Sequence, residues 1–328
     1  MAEIAKAQKL FLHTSNILKW NNVQLIKNPF DEVETCIKTV MQCWHSCNKT
    51  NLKDEEYLCI ACDKHRDKIP DWERSSVTVS AKLFLFTDDH DAIRQAVNKS
   101  MLRKMLQFIT LVSSLDRLGL EDMETLVVSL SPELSRGAIV DHPPCLGTTW
   151  ARIPQNTAHS LLKIWPVLEE FVETNKIFRL GVRDMPVSEM EALYTAVKIP
   201  PKVNQVFIGS TCLMSEELEN FAKQHDIQLL THHDSADMLP EEKLQSVMRN
   251  EFCDEDGAGW RPSWLVSYAE YYKNRGVVRS KGYTLFAERD LPQSGIKEIT
   301  GMNGGATSVT LTNGISPPHP ALAAVGDQ

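Results

Sequence analysis

The feature that most constrains this chain is a rhythm. Short apolar runs of strand length alternate with longer segments whose apolar residues recur every three or four positions. VTVSAKLFLF (77–86) is followed by a helical stripe of Ile93, Val97, Met101, Leu102, Met105, Phe108, Ile109 and Val112. LVVSL, inside Thr125–Leu130, precedes a helix marked by Leu161, Leu162, Trp165, Leu168 and Val172, despite Pro166. IFRLGV (177–182), a helix through Met190, Leu193 and Val197, a strand at Val203–Ile208 and the strand IQLLT (227–231) continue the pattern. Alternation with short connections implies parallel βαβ units joined by right-handed crossovers. Sustained over most of the chain, it suits a β/α barrel better than an open sheet. No G-x-G-x-x-G follows the first strand, which counts against a Rossmann domain.

The ends of the pattern carry their own signals. Leu10–Thr14 reads as a first strand. Asn28 before Pro29 is a helix start, a capping side chain followed by a proline whose missing N–H costs nothing at the first helical position. Phe30, Val33, Ile37, Val40, Met41 and Trp44 then form one apolar face. A second helix is expected in the polar stretch 48–76, and a loop over 131–153. Ser188 and Glu191 have capping-box spacing. Ser215 caps a helix whose first turn holds Glu216 and Glu217, a favourable placement for the helix dipole. Leu265–Tyr272 reads as a late helix, Gly276–Val278 as the opening of another strand, and YTLFAE (283–288) as the candidate strand that closes the barrel. Residues 1–290 therefore form one domain, a β/α barrel open to being incomplete at its C-terminal end. Residues 291–328, rich in Gly, Ser, Thr and Pro, read as a disordered tail.

Composition narrows function. A net charge of −8 argues against nucleic acid, which needs clustered Lys and Arg. No apolar run approaches membrane-span length. The start, MAEIAKAQKLFLH, is too polar for a signal peptide, so a cytoplasmic location is expected. Five of the eight cysteines crowd into one stretch: Cys36, Cys43, Cys47, Cys59 and Cys62. Cys59-x-x-Cys62 with His65 hints at zinc, but structural zinc sites usually pair two such knuckles. Cys36, Cys43 and Cys47 have helical spacing, and free cysteine packs as a small hydrophobe. No metal or other cofactor is expected.

In a β/α barrel, chemistry gathers at the carboxyl ends of the strands. Those ends offer His13 and Thr14, then Lys82, Ser129, Arg183 with Asp184, Gln205, and His232-His233-Asp234, then Arg279, Ser280 and Lys281. Lys82 is the oddity, a charge in the middle of an apolar strand. It reads as a catalytic group, as the relic of one, or as a lysine snorkelling from an edge strand. Adjacent strand residues point to opposite sides, so His232 and His233 are a poor pair for one metal ion.

The ordered set SAKLF (80–84), LGVRD (180–184), VNQV (203–206) and WLVSYAEYYKNRGVVRSKGY (264–283) resembles the aldo-keto reductase superfamily. That resemblance implies a barrel whose members use an Asp, a Tyr acid, a Lys that lowers the Tyr pKa, and a His. A tyrosine near pKa 10 needs such a cation to trade a proton at neutral pH. On this alignment His13 stands at the aspartate, Leu18 at the tyrosine and Ser129 at the histidine, leaving Lys82 with no acid to tune; Tyr57 is the one substitute acid. Asp184 stands where a nicotinamide diphosphate would approach and would repel it. Within the superfamily, VSAKLF (79–84), VNQV, FAKQHDIQLLTHHD (221–234) and RGVVRSKGY (275–283) resemble the regulatory (modifier) subunits of glutamate–cysteine ligase. The resemblance implies a non-catalytic barrel that binds the ligase's catalytic subunit as a heterodimer, improves its use of glutamate and relieves its feedback inhibition by glutathione. Lys82 is then a relic, paired with a carboxylate in the barrel mouth. The alternative is an NADPH-dependent reductase of carbonyl compounds.

The same resemblance implies a redox-sensitive covalent link to the catalytic subunit. Cys212 is the candidate, standing where family members carry two adjacent cysteines. Cys253 sits among Asp254, Glu255 and Asp256, which disfavour its thiolate. Trp260 and Trp264 read either as partner anchors or as buried core.

Overall fold

A computed structural model describes residues 7–23, 26, 28–46, 57–61, 69–88, 122–134, 139–141, 152–154, 157–207, 214–252 and 259–290. The expected helix over 93–112, Cys47, Cys62, His65, Cys212, Cys253 and the tail 291–328 lie outside the described residues. The strands are β1 (Lys9–His13), β2 (Tyr57–Ala61), β3 (Val77–Leu85), β4 (Met123–Leu130), β5 (Ile139–Asp141), β6 (Arg152–Pro154), β7 (Ile177–Arg183), β8 (Val203–Phe207), β9 (Gln228–His232), β10 (Arg261–Tyr272) and β11 (Val278–Glu288). The helices are α1 (Pro29–Ser46), α2 (Asp71–Arg74), α3 (Thr157–Glu173), α4 (Val187–Ala196), α5 (Glu216–His225) and α6 (Glu241–Phe252).

Among the described residues, nine strands form one sheet in the order β2-β1-β11-β10-β3-β4-β7-β8-β9, and it does not close. β5 and β6 form a separate antiparallel pair inside the stretch expected to be loop. From β3 to β9 all strands are parallel, as the βαβ rhythm requires. The other side departs from expectation. β10 is a strand where a helix was expected, antiparallel to both β3 and β11. β1 is antiparallel to β11, so β1 and β2 run against β3.

The sheet is nevertheless curled like a barrel wall. Four strand spacings separate β3 from β9, about 19 Å in a flat sheet. Yet Lys82 on β3 reaches Asp234, two residues past β9, at 2.5 Å. Each face of the sheet has its own core. Val79, Ala81, Leu83, Leu126, Val128, Leu180, Val182, Trp264 and Phe286 pack on the outer side against Leu161, Trp165 and Leu168 of α3, Met190 and Leu193 of α4 and Phe221 of α5. Leu10, Leu12, Leu58, Ile60, Phe84, Leu265 and Leu285 face inward onto α1 and α6. α1 and α6 meet through Lys243–Glu34 (2.7 Å) and through Gln42 and His45, which bond Glu251. Among the described residues α1 and α6 pack together over the inward face beside β1 and β2.

Local chemistry places these elements. Asn28 Oδ1 accepts from the Phe30 N–H, so the cap before Pro29 forms as expected. Ser215 caps α5 through the Leu218 N–H. The capping box at Ser188 does not form: Pro186 takes the cap position of α4 with no side-chain bond.

Candidate functional site

Strand alternation decides which side chains meet. On β3, Ala81 and Leu83 face the outer core, so Lys82 and Phe84 face inward. Register carries that face across the sheet. Lys82 stands beside Val127, Phe84 beside Ser129, Arg183 beside Gln205, and Phe207 beside His232. In the other direction Ser267 pairs with Lys82 on one side and Tyr283 on the other. Lys82, Ser129, Arg183, Gln205, His232 and Tyr283 thus share one concave face.

That face is bound up with itself. Lys82 Nζ donates to Asp234 Oδ2 at 2.5 Å. Arg183 Nε donates to Asp184 Oδ2 (3.0 Å), its Nη1 to Ser129 Oγ (3.2 Å) and its Nη2 to the Ser235 carbonyl (2.9 Å). The Asp234 N–H donates to His232 Nδ1 at 3.1 Å. Nδ1 is therefore the acceptor, and Nε2 carries the proton toward both Asp184 oxygens, 3.0 Å away. Burial pushes the Asp184 carboxyl up. The hydrogen bond from His232, the Arg183 charge and the Phe207 N–H outweigh that and hold it below its ordinary value. A second knot lies beside the first. Lys281 Nζ donates to Glu32 Oε1 at 2.6 Å, and the Tyr283 hydroxyl donates to the same oxygen. Burial first, and the Glu32 carboxylate second, raise the Tyr283 phenol well above its usual range, opposite to what a general acid needs.

The remaining expected residues fall elsewhere. His13 is buried on the outer face, bonded to Thr284 (2.9 Å) and stacked on Tyr268. It cannot meet Lys82 through the sheet. Leu18, at the tyrosine position, sits on a 3-10 turn and is 40% exposed. Tyr57 lies on β2, four strands from Lys82. Gln205 Oε1 is buried with no hydrogen-bond partner among the described residues. His232 is buried while His233 is exposed, the opposed orientation that alternation dictates. Among the described residues, no cluster of His, Cys, Asp and Glu could hold a metal ion. Cys36 is buried in α1, and its thiol is pushed up chiefly by burial. Trp260 and Trp264 are fully buried core residues. Sequence reading missed Glu32 and Tyr283. Glu32 looks like an ordinary first-turn acid of α1, and only the register of β11 against β10 brings Tyr283 to Lys82's face.

These observations define a class: an α/β protein built on an incomplete barrel whose inward Lys82, Arg183 and Lys281 are engaged by its own carboxylates. No family model matches the chain. In sequence it is 30% identical to the glutamate–cysteine ligase regulatory subunits of Mus musculus and Homo sapiens over 294 residues, covering 88% of this chain and 96% of each relative. A putative glutamate–cysteine ligase regulatory subunit of Schizosaccharomyces pombe is 25% identical over 84% of this chain and 94% of its own length. The chain belongs to the glutamate–cysteine ligase regulatory subunit family. Partial structural likenesses include an aldo/keto reductase from Brucella melitensis (15% identity, TM-score 0.27, 49% of this chain and 50% of that one). An aldose reductase from Schistosoma japonicum gives 12% identity and a TM-score of 0.30, over 61% and 51% of the two chains.

Proposed function

We propose that this chain is the non-catalytic regulatory subunit of a cytoplasmic glutamate–cysteine ligase. It pairs with the catalytic subunit as a heterodimer, improves its use of glutamate and relieves inhibition by glutathione. The observation that carries the non-catalytic reading is the fate of three cations. Lys82 stands where the reductase resemblance places the lysine that serves the acid, and Arg183 and Lys281 lie on the same inward face. Each is held by a carboxylate of the chain itself: Asp234, Asp184 and Glu32. A phosphate entering there would meet those carboxylates before it met a cation. On this reading Lys82 is a relic with a structural role, and no cofactor is bound. Cys212 is the cysteine through which a covalent link to the catalytic subunit would run.

The test is a ligase assay at low glutamate with glutathione present, with and without this chain. The rate rises on adding the chain, which turns nothing over alone. Lys82→Met raises it equally. No rise, together with failure to co-elute with the catalytic subunit, sinks the reading. Quenching of tryptophan fluorescence by NADPH with carbonyl turnover, lost in Lys82→Met, would install the reductase instead.

A further inference from the structure

The ring of His232 is fully enclosed, and a carboxylate stands near each of its nitrogens. Nε2 donates to both Asp184 oxygens at 3.0 Å. Nδ1 accepts the Asp234 N–H at 3.1 Å, and Asp234 Oδ2 lies 3.6 Å from the same nitrogen. Arg183 joins Asp184 from the end of β7, and Lys82 of β3 reaches that same Asp234 Oδ2 at 2.5 Å. The Phe207 ring of β8 lies 5.8 Å away. Tyr283 of β11, whose phenol is raised chiefly by burial and by Glu32, also feels the Asp234 charge. Glu32 of α1 is taken by Lys281 and Tyr283. His233, the next residue, is exposed. With the His232 ring neutral, Lys82 and Arg183 balance Asp184 and Asp234.

Adding a proton upsets both the bonding and the balance. It can enter only at Nδ1, since Nε2 already carries one. Nδ1–H and the Asp234 N–H are then two donors facing each other, and their hydrogen bond is lost. His232, Lys82 and Arg183 become three cations sharing two carboxylates in an enclosed site, where charges are poorly screened. An acceptor for the new donor is at hand in Asp234 Oδ2, which Lys82 holds while the ring is neutral. Of the two competing cations Lys82 is the one able to leave. Its side chain is 27% exposed, against 6% for Arg183, which Asp184, Ser129 and the Ser235 carbonyl fix in place. Asp234 also lies in the segment that leads from β9 to α6, and its contacts with Lys82 and His232 tie that segment to the sheet. We propose that His232 is a proton-operated latch. Neutral, it leaves Asp234 to Lys82 and holds the segment down. Protonated, it draws the Asp234 carboxylate to itself and releases Lys82 toward solvent. The concave face then shows a net positive charge and a free lysine, where the unprotonated form is closed by its own carboxylates. The latch does not depend on the regulatory reading, and the chain alone suffices to test it.

Nitrogen and carbon NMR of the isotope-labelled full chain follows these groups from about pH 8 to about pH 5, the range in which histidines titrate. His232→Gln assigns the ring by the loss of its signals, and circular dichroism checks the fold of every variant. At the alkaline end His232 shows the Nε2–H tautomer. As it gains its second proton, the Asp234 carboxyl carbon, the Asp234 amide and the Lys82 Cε move with the same midpoint. Lys82→Met removes a repelling charge and the competitor for Asp234, so the His232 midpoint rises by about one unit. Asp234→Asn takes the charge from the acceptor, and the midpoint falls by about as much. A His232 that titrates while Lys82 and Asp234 stay still, or with the same midpoint in Lys82→Met as in the wild type, is a structural histidine, and the latch falls. It falls equally if His232 stays neutral across the range in the folded chain. If Asp234→Asn does not fold, the wild type and Lys82→Met decide between them.

Discussion

Lys82 shows how a residue read for chemistry becomes a residue read for structure. Its place in an apolar strand was legible, and so was its pairing with a carboxylate. The partner was not, because Asp234 is 152 positions away and is reached only when the sheet curls. Asp184 makes the sharper experiment. It adopts a left-handed backbone conformation with φ of 51°, which asparagine tolerates as well as aspartate does. Asp184→Asn therefore removes charge without straining the chain. It leaves Arg183 facing a neutral amide in a largely buried pair, and should cost about 3 kcal/mol at pH 7. The pH dependence follows in sign. A carboxyl whose folded pKa is lowered stabilises the fold above its ordinary value, about 3.9, and that stability is lost as pH falls through the folded value. Denaturation followed from pH 7 down to pH 2 should show this acid limb in the wild type and a flatter one in Asp184→Asn. Parallel curves would mean that Asp184 is not the group holding the network.

At the scale of elements, the parallel half of the sheet was readable because each strand is short and each helix has one apolar face. β10 was not. In LVSYAEYY, the apolar residues at Leu265, Tyr268, Ala269 and Tyr272 satisfy helical spacing. The run is apolar, however, because β10 is a central strand covered on both faces, which erases the period-two alternation. Its tyrosines and Val266 were the better clue, since aromatic and β-branched residues favour strands. The capping box at Ser188 failed because α4 already begins at Val187 after Pro186, which puts Ser188 inside its first turn rather than at the cap. The β10–β11 pair also explains the glycine in SKGY. A Cβ on Gly282 would strike the Ser15 carbonyl oxygen and the Tyr268 hydroxyl. The first is backbone and cannot swing away. Gly282→Ala should destabilise the protein by about 3 kcal/mol, the upper range for overpacking. Gly181→Ala, where the nearest atom is the Val203 Cβ at 2.8 Å, should fall lower in that range. Urea midpoints of the two variants compare them directly, and a neutral Gly282→Ala would contradict the close crossing of residues 14–16 over β11.

For the whole molecule, the class was legible and the closure was not. Periodicity says which segments are strands but not which way each runs, and the reversal of β1 is fixed by pairings more than 270 positions apart. Among the described residues β2 and β9 are edges, and the buried faces of α1 and α6 join one inward core with β1 and β2. Lys243 and Lys38 outweigh the cost of burying Glu34 and hold its carboxyl below the ordinary value, so the helix junction is charged as well as apolar at neutral pH. Such a design predicts that stability is coupled through this inward core. Leu244 of α6 is fully buried in that core. Leu244→Ala should cost about 2–5 kcal/mol. The loss should not stay on α6. Amide exchange should quicken together in α6, α1, β1 and β2, because the inward core is the packing these elements share. α4 and α5, which pack on the outer face, should keep their relative protection. Faster exchange confined to α6 would mean that the helix merely leans on a sheet that is stable without it. Faster exchange throughout would mean that both faces fold as one cooperative unit. The expected pattern lies between these, because the two cores are separated by the sheet and joined only through its strands.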